Sequence, residues 1–129
     1  MLNKTEFSIA IDHHFKIIRY KHTGSIKKED LDAAWSELIQ IKEFTQLDYN
    51  LLSDYRESKF DIPLTSIDAI LEDVKPMKPF LEGKKQSFII DDPMSMAIAM
   101  LFMKDAFNKI GFKIESFSTE KAAVAWLLF

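Results

Sequence analysis

Residues 86–117 read QSFIIDDPMSMAIAMLFMKDAFNKIGFKIESF, and the order of patterns within them decides the fold class. The opening QSFIID is a short, nearly continuous apolar run, as expected of a strand covered on both faces. It stops at Asp91. Asp92 is placed to cap a helix, Pro93 falls in its first turn, where no N–H is needed, and Gly111 stands just past its end. From about Pro93 to Ile110, the residues Ala99, Phe102, Met103, Ala106 and Ile110 recur at helical spacing, the stripe that a helix needs to pack on a sheet. FKIESF then reads as a second strand. Strand, helix and strand in succession imply parallel strands joined by a right-handed crossover.

The same alternation extends toward the N-terminus. Gly83 marks the turn into QSFIID, and Pro76 and Pro79 end or kink a helix running from Thr65 to about Lys75. That helix has a buried stripe of Ile67, Ile70, Leu71 and Val74, and Thr65 and Asp68 have the spacing of a capping box. Tyr49 to Tyr55, YNLLSDY, reads as a strand. Between roughly Lys27 and Phe44, Leu31, Ala34, Trp35, Leu38 and Ile41 lie at helical spacing, with Glu29 and Asp30 in the first turn. Phe7, Ile9 and Ile11 alternate with polar or small residues, and FKIIRYKH continues to Gly24 after His13-His14, which predicts a hairpin. Beyond FKIESF, a last helix opened by Ser118 carries Ala122, Ala123, Trp126 and Leu127, with Trp126 expected as a core anchor. The predicted order is ββαβαβαβα: an α/β fold with a mostly parallel sheet, an N-terminal hairpin and helices packed on it.

Composition narrows the function classes. A chain of 129 residues has room for one core, and 47% apolar with 29% charged residues is the balance of a folded globular protein. The absence of cysteine excludes disulfides, thiolate metal sites and a cysteine nucleophile, and points to the cytoplasm. MLNKTEFSIAID has no apolar core of signal-peptide length, and the longest uncharged apolar stretch, Met94 to Met103, is about half of a membrane span, so no transmembrane segment is expected. Net charge is −3 from 17 basic and 20 acidic residues, which offers no electrostatic footprint for nucleic acid. The two basic doublets, Lys27-Lys28 and Lys84-Lys85, read as solvated turn residues.

Catalytic signatures are missing. The three glycines, at 24, 83 and 111, fall at expected element junctions, so no glycine-rich phosphate cradle is present. The histidines, at 13, 14 and 22, do not have the spacing of a helical metal pair, and no serine stands in a nucleophile elbow. No catalytic residue, metal or cofactor is assigned. Open α/β sheets place ligands at the C-terminal ends of their strands, which singles out Asp54 and Arg56 at the end of one strand and Asp91 and Asp92 at the end of another. Each has a structural reading beside the functional one: Asp92 as a helix cap, Asp54 and Arg56 as an ion pair. The long helix is unusual in carrying Met94, Met96, Ala97, Met100 and Leu101 outside its sheet-facing stripe. Flexible thioethers suit irregular cores and adaptable binding surfaces alike, so these residues join the candidate partner or ligand surface.

Three phrases carry a family resemblance: TGSIKKEDL at 23–31, SDYRESKFD at 53–61 and FSTEKAAVAWL at 117–127. With the element order, they resemble the SpoIIAA-like branch of STAS domains over nearly the whole chain. The D-x-R-x-x-x-F pattern falls on Asp54, Arg56 and Phe60. The resemblance implies a non-enzymatic regulatory module working through a protein partner or self-association. Anti-sigma factor antagonists of this type carry an Asp-Ser phosphoacceptor followed by glycine at the start of the second helix. Here that region reads FDIPLTSID, so Thr65 and Ser66 are the candidate phosphoacceptors, without the Asp-Ser pair or the glycine. The SpoIIAA-like layout is also similar to that of the CRAL-TRIO lipid carriers, which implies, as the alternative, a small apolar or lipid-like ligand in the cleft at the strand C-terminal ends.

Overall fold

The computed structural model describes residues 5–129; Met1 to Lys4, the start of the stretch read for a signal segment, lie outside the described residues. The strands are β1 (Glu6–Asp12), β2 (Ile17–Ile26), β3 (Asn50–Phe60), β4 (Lys85–Ile89) and β5 (Lys113–Phe117). The helices are α1 (Lys28–Leu38), α2 (Lys42–Thr45), α3 (Ile67–Val74), α4 (Lys78–Leu81), α5 (Pro93–Ile110) and α6 (Glu120–Leu127). All five strands form one sheet in the order β1-β2-β3-β4-β5, with β1 antiparallel to β2 and every other pair parallel. The expected α/β architecture, a parallel sheet with an N-terminal hairpin, is therefore the one observed.

This order dictates where the helices lie. Each parallel crossover steps the same way along the sheet, so crossovers of one hand place their helices on one face. Side chains alternate accordingly. Ile18 and Tyr20 of β2, Leu51 and Tyr55 of β3 and Phe88 of β4 pack in one large core with residues of α1, α3 and α5. Their neighbours Ile17, Leu52 and Ile89 point the other way and meet Ala123 and Leu127 of α6. Among the described residues, α6, which follows the last strand, is the one helix that covers that second face.

Local chemistry fixes the element ends. Asp92 accepts the Ser95 backbone N–H at 2.9 Å, and Gly111 closes α5 in the left-handed region at φ +77°, where a Cβ would also press on Glu82 at 3.1 Å. Several expectations need correction. The helix expected over Lys27–Phe44 breaks after Leu38, and the break turns the fully buried Phe44 toward Trp35, ring centroids 6.4 Å apart. Gly24 lies inside β2 at φ +90° instead of at a junction, close to where β3 carries one extra residue in the register. β3 runs on to Phe60, so Asp54 lies in mid-strand instead of near its end, and Arg56 and Phe60 belong to the strand and not to a loop after it. The Thr65–Asp68 capping box does not form; residues 64–66 are a single 3-10 turn. The cap of α6 is Thr119, not Ser118, and its hydroxyl accepts the Ala122 N–H at 3.2 Å. Ala123 and Leu127 are the buried residues of that helix, whereas Trp126 is half-buried beside Phe117.

The basic doublet at 84–85 is not simply solvated. Lys84 is only 5% exposed, with its ammonium 3.2 Å from Asp48 and over the Phe44 ring. Lys85 donates to the backbone carbonyls of Trp126, at 3.1 Å, and Phe129, a cation at the C-terminal end of α6 where the helix dipole favours one.

Candidate functional site

One side of α5 has more apolar surface than its packing uses. Ser95, Ile98, Ala99, Ala106 and Ile110 face the sheet and are buried. On the opposite side, at 100° per residue, Met94, Ala97, Met100, Leu101 and Phe107 form a row. Met94 is 68% exposed, Met100 59%, Phe107 54% and Leu101 47%, and exposed Lys104 interrupts the row near its centre. Met96 does not belong to it: half-buried, its sulfur accepts the Ser116 hydroxyl at 3.2 Å. The sequence signal for this row was the excess of apolar residues around the first half of the helix.

The strand-end charges lie elsewhere. Asp54 and Arg56 are on the α6 side of the sheet, where the guanidinium donates to Asp54 at 3.0 and 2.8 Å. Arg56 also approaches Glu120, the first residue of α6, at 3.8 Å, and Glu120 contacts Arg19, which donates to Asp12 at 3.0 Å. This row of paired charges joins β1, β2, β3 and α6, and Lys21 with Glu57 extends it. The Arg56 hydrogen bonds hold the Asp54 carboxyl below the ordinary aspartate range, and the Ser95 N–H does the same for Asp92. Asp91 is exposed within electrostatic reach of Arg56, and Asp92 lies 3.7 Å from Lys59. The surface read from the sequence as one thus divides into an apolar row on α5 and a charged network across the sheet. Glu120, Arg19 and Asp12 had no local signal, because only the sheet order brings them to Arg56. Thr65 is exposed and Ser66 partly exposed in the turn before α3.

Comparison with known proteins bears on this geometry through the fold. Neither a protein-family model nor any curated protein matches the chain. A crystal structure of an uncharacterised protein of the DUF3478 family from Shewanella loihica PV-4, described as having a SpoIIAA-like fold, superposes on it with a TM-score of 0.66. The alignment covers 98% of each chain at 15% identity. The fold is SpoIIAA-like.

Within this SpoIIAA-like domain, the phrases that carried the resemblance fall at structural joints. TGSIKKEDL spans the end of β2 and the start of α1, SDYRESKFD the bulged part of β3, and FSTEKAAVAWL the capped approach to α6 and its packing face. Among the described residues, no helix is long and apolar enough to cross a membrane.

The domain also buries one histidine that the sequence did not single out. His22 is fully buried, with the Tyr20 hydroxyl at Nδ1, Thr5 Oγ1 2.6 Å from Nε2 and the Phe7 ring at 5.8 Å. Burial holds its pKa below the ordinary histidine value, near 6.5. The native state therefore releases this proton while the unfolded chain still holds it, so stability falls as pH drops through that value. The depressed Asp54 and Asp92 act in the same direction, but only as pH falls through the ordinary carboxylate range, near 4. The urea midpoint is expected to be lower at pH 5.5 than at 7.5, and His22→Gln is expected to flatten that difference. Equal midpoints for the wild type at the two pH values would contradict the assignment.

Proposed function

We propose that this domain is a non-enzymatic STAS-like module of the cytoplasm that acts by docking a partner protein on the outer face of α5. The observation that supports the reading is the exposed row of Met94, Met100, Leu101 and Phe107. Packing does not account for it, because the opposite row already holds the helix to the sheet, and contiguous exposed apolar patches on soluble proteins mark interaction sites. Methionines adapt to the partner's relief. The matching surface is an apolar helix or strand face carrying a carboxylate opposite Lys104.

Met100→Glu tests this directly. The charge replaces an exposed side chain, so folding is expected to stay intact while a co-purifying protein is lost, or a dimer mass measured by light scattering falls to that of the monomer. A folded Met100→Glu protein with unchanged mass and unchanged co-purifying proteins would remove the reading.

A further inference from the structure

We propose that Met94 and Met100 are reversible oxidation sites, where a peroxide converts the thioethers to sulfoxides and so releases the protein docked on α5. This regulation rests on the docking role of the outer face of α5. Sulfur chemistry in this chain is methionine chemistry: six methionines and no cysteine are present, so no thiolate competes for the oxidant. The surroundings of the methionines differ. Met94 and Met100 keep more than half of their surface in solvent. Met77, Met96 and Met103 are half-buried and packed against the main core, and the Met96 sulfur is engaged by the Ser116 hydroxyl at 3.2 Å.

The step needs a lone pair that the oxidant can reach. That lone pair attacks one oxygen of hydrogen peroxide, and the S–O bond forms as the O–O bond breaks. The proton on the transferred oxygen passes to the departing hydroxide, which leaves as water; the thioether loses two electrons and the peroxide gains them. A flexible apolar side chain thereby becomes a polar, chiral one. In the free domain the new oxygen stays in water, so the fold is kept. Against an apolar partner it loses that water without a matching donor. At Met100 the sulfoxide also stands one helical turn before exposed Lys104, and offers that ammonium an acceptor in competition with the partner's carboxylate.

The test treats the full chain with hydrogen peroxide and follows each methionine by peptide mass spectrometry, with circular dichroism reporting the fold. Met94 and Met100 are expected to gain one oxygen before Met77, Met96 and Met103, with the fold unchanged. The readouts that Met100→Glu moves, the mass by light scattering and the co-purifying protein, are then expected to fall. The concentration for half-association rises at least about tenfold, equal to about 1.4 kcal/mol for one polar oxygen buried unpaired. Methionine sulfoxide reductases specific for the two epimers are expected to restore both readouts. In the variant carrying Met94→Leu and Met100→Leu, the same peroxide is expected to move neither readout from its untreated level. Conversion of Met96 or Met103 as early as Met100, or association that Met100→Glu abolishes and full conversion of Met94 and Met100 leaves intact, would overturn the proposal while the docking face stands. Readouts that move neither on oxidation nor with Met100→Glu would remove both.

Discussion

Ile98→Glu will unfold the domain, whereas Met100→Glu, two residues further along α5, will leave its thermal stability nearly unchanged. Ile98 is buried against the sheet, so a carboxylate there loses its hydration without gaining a partner. Breaking or creating such an unpaired buried charge costs about 3–5 kcal/mol, a large part of the roughly 5–15 kcal/mol that holds an ordinary domain together. Met100 stands 200° away around the helix and keeps its solvent. A surface change of this kind is worth about 0.5 kcal/mol or less, a shift of about 3 °C at most. Circular dichroism melts of the two variants make the comparison. If Met100→Glu loses as much as Ile98→Glu, the outer row of α5 is packed and the proposed docking face does not exist.

Phe112→Ala is expected to cost about 3–5 kcal/mol, and Trp126→Ala clearly less. Phe112 is fully buried immediately before β5 and meets the Trp35 ring edge-on, centroids 6.1 Å apart, so it ties the entry to the last strand to α1. Its removal leaves a cavity between elements far apart in sequence, with little freedom to collapse. Trp126 covers the edge of the smaller core, beside Phe117 and under the Lys85 ammonium, and keeps part of its ring in solvent. Urea unfolding of both variants gives the ranking; a Trp126→Ala cost equal to that of Phe112→Ala would make α6 a principal support of the fold and restore the anchoring role that the sequence suggested.

That difference shows what the sequence displays and what it hides. Capping and termination around α5 were legible because Asp92, Pro93 and Gly111 act through backbone geometry within a few residues. The break after Leu38 was not, since the apolar spacing continues through Ile41 and only the tertiary demand for Phe44 in the core interrupts it. β3 outran its expected end for a related reason. Arg56, Glu57 and Lys59 look like loop residues, but Glu57 and Lys59 pair with Thr23 and Ser25 of β2, and all three side chains are exposed, so their charges remain solvated. The candidate site was half legible: helical geometry separated Met100 from the packed stripe, while the split between the α5 row and the Asp54–Arg56 network depends on which face each strand residue takes.

Whether the outer face of α5 docks a protein is decided by a photo-crosslinking amino acid placed at Met100 in the chain expressed in its own host. The control carries the same probe at the exposed Lys113 on β5. One protein, or a second copy of this chain, crosslinked at Met100, absent at Lys113 and lost when Leu101→Glu is added, is the predicted result; crosslinks at Met100 no different from those at Lys113 would contradict it.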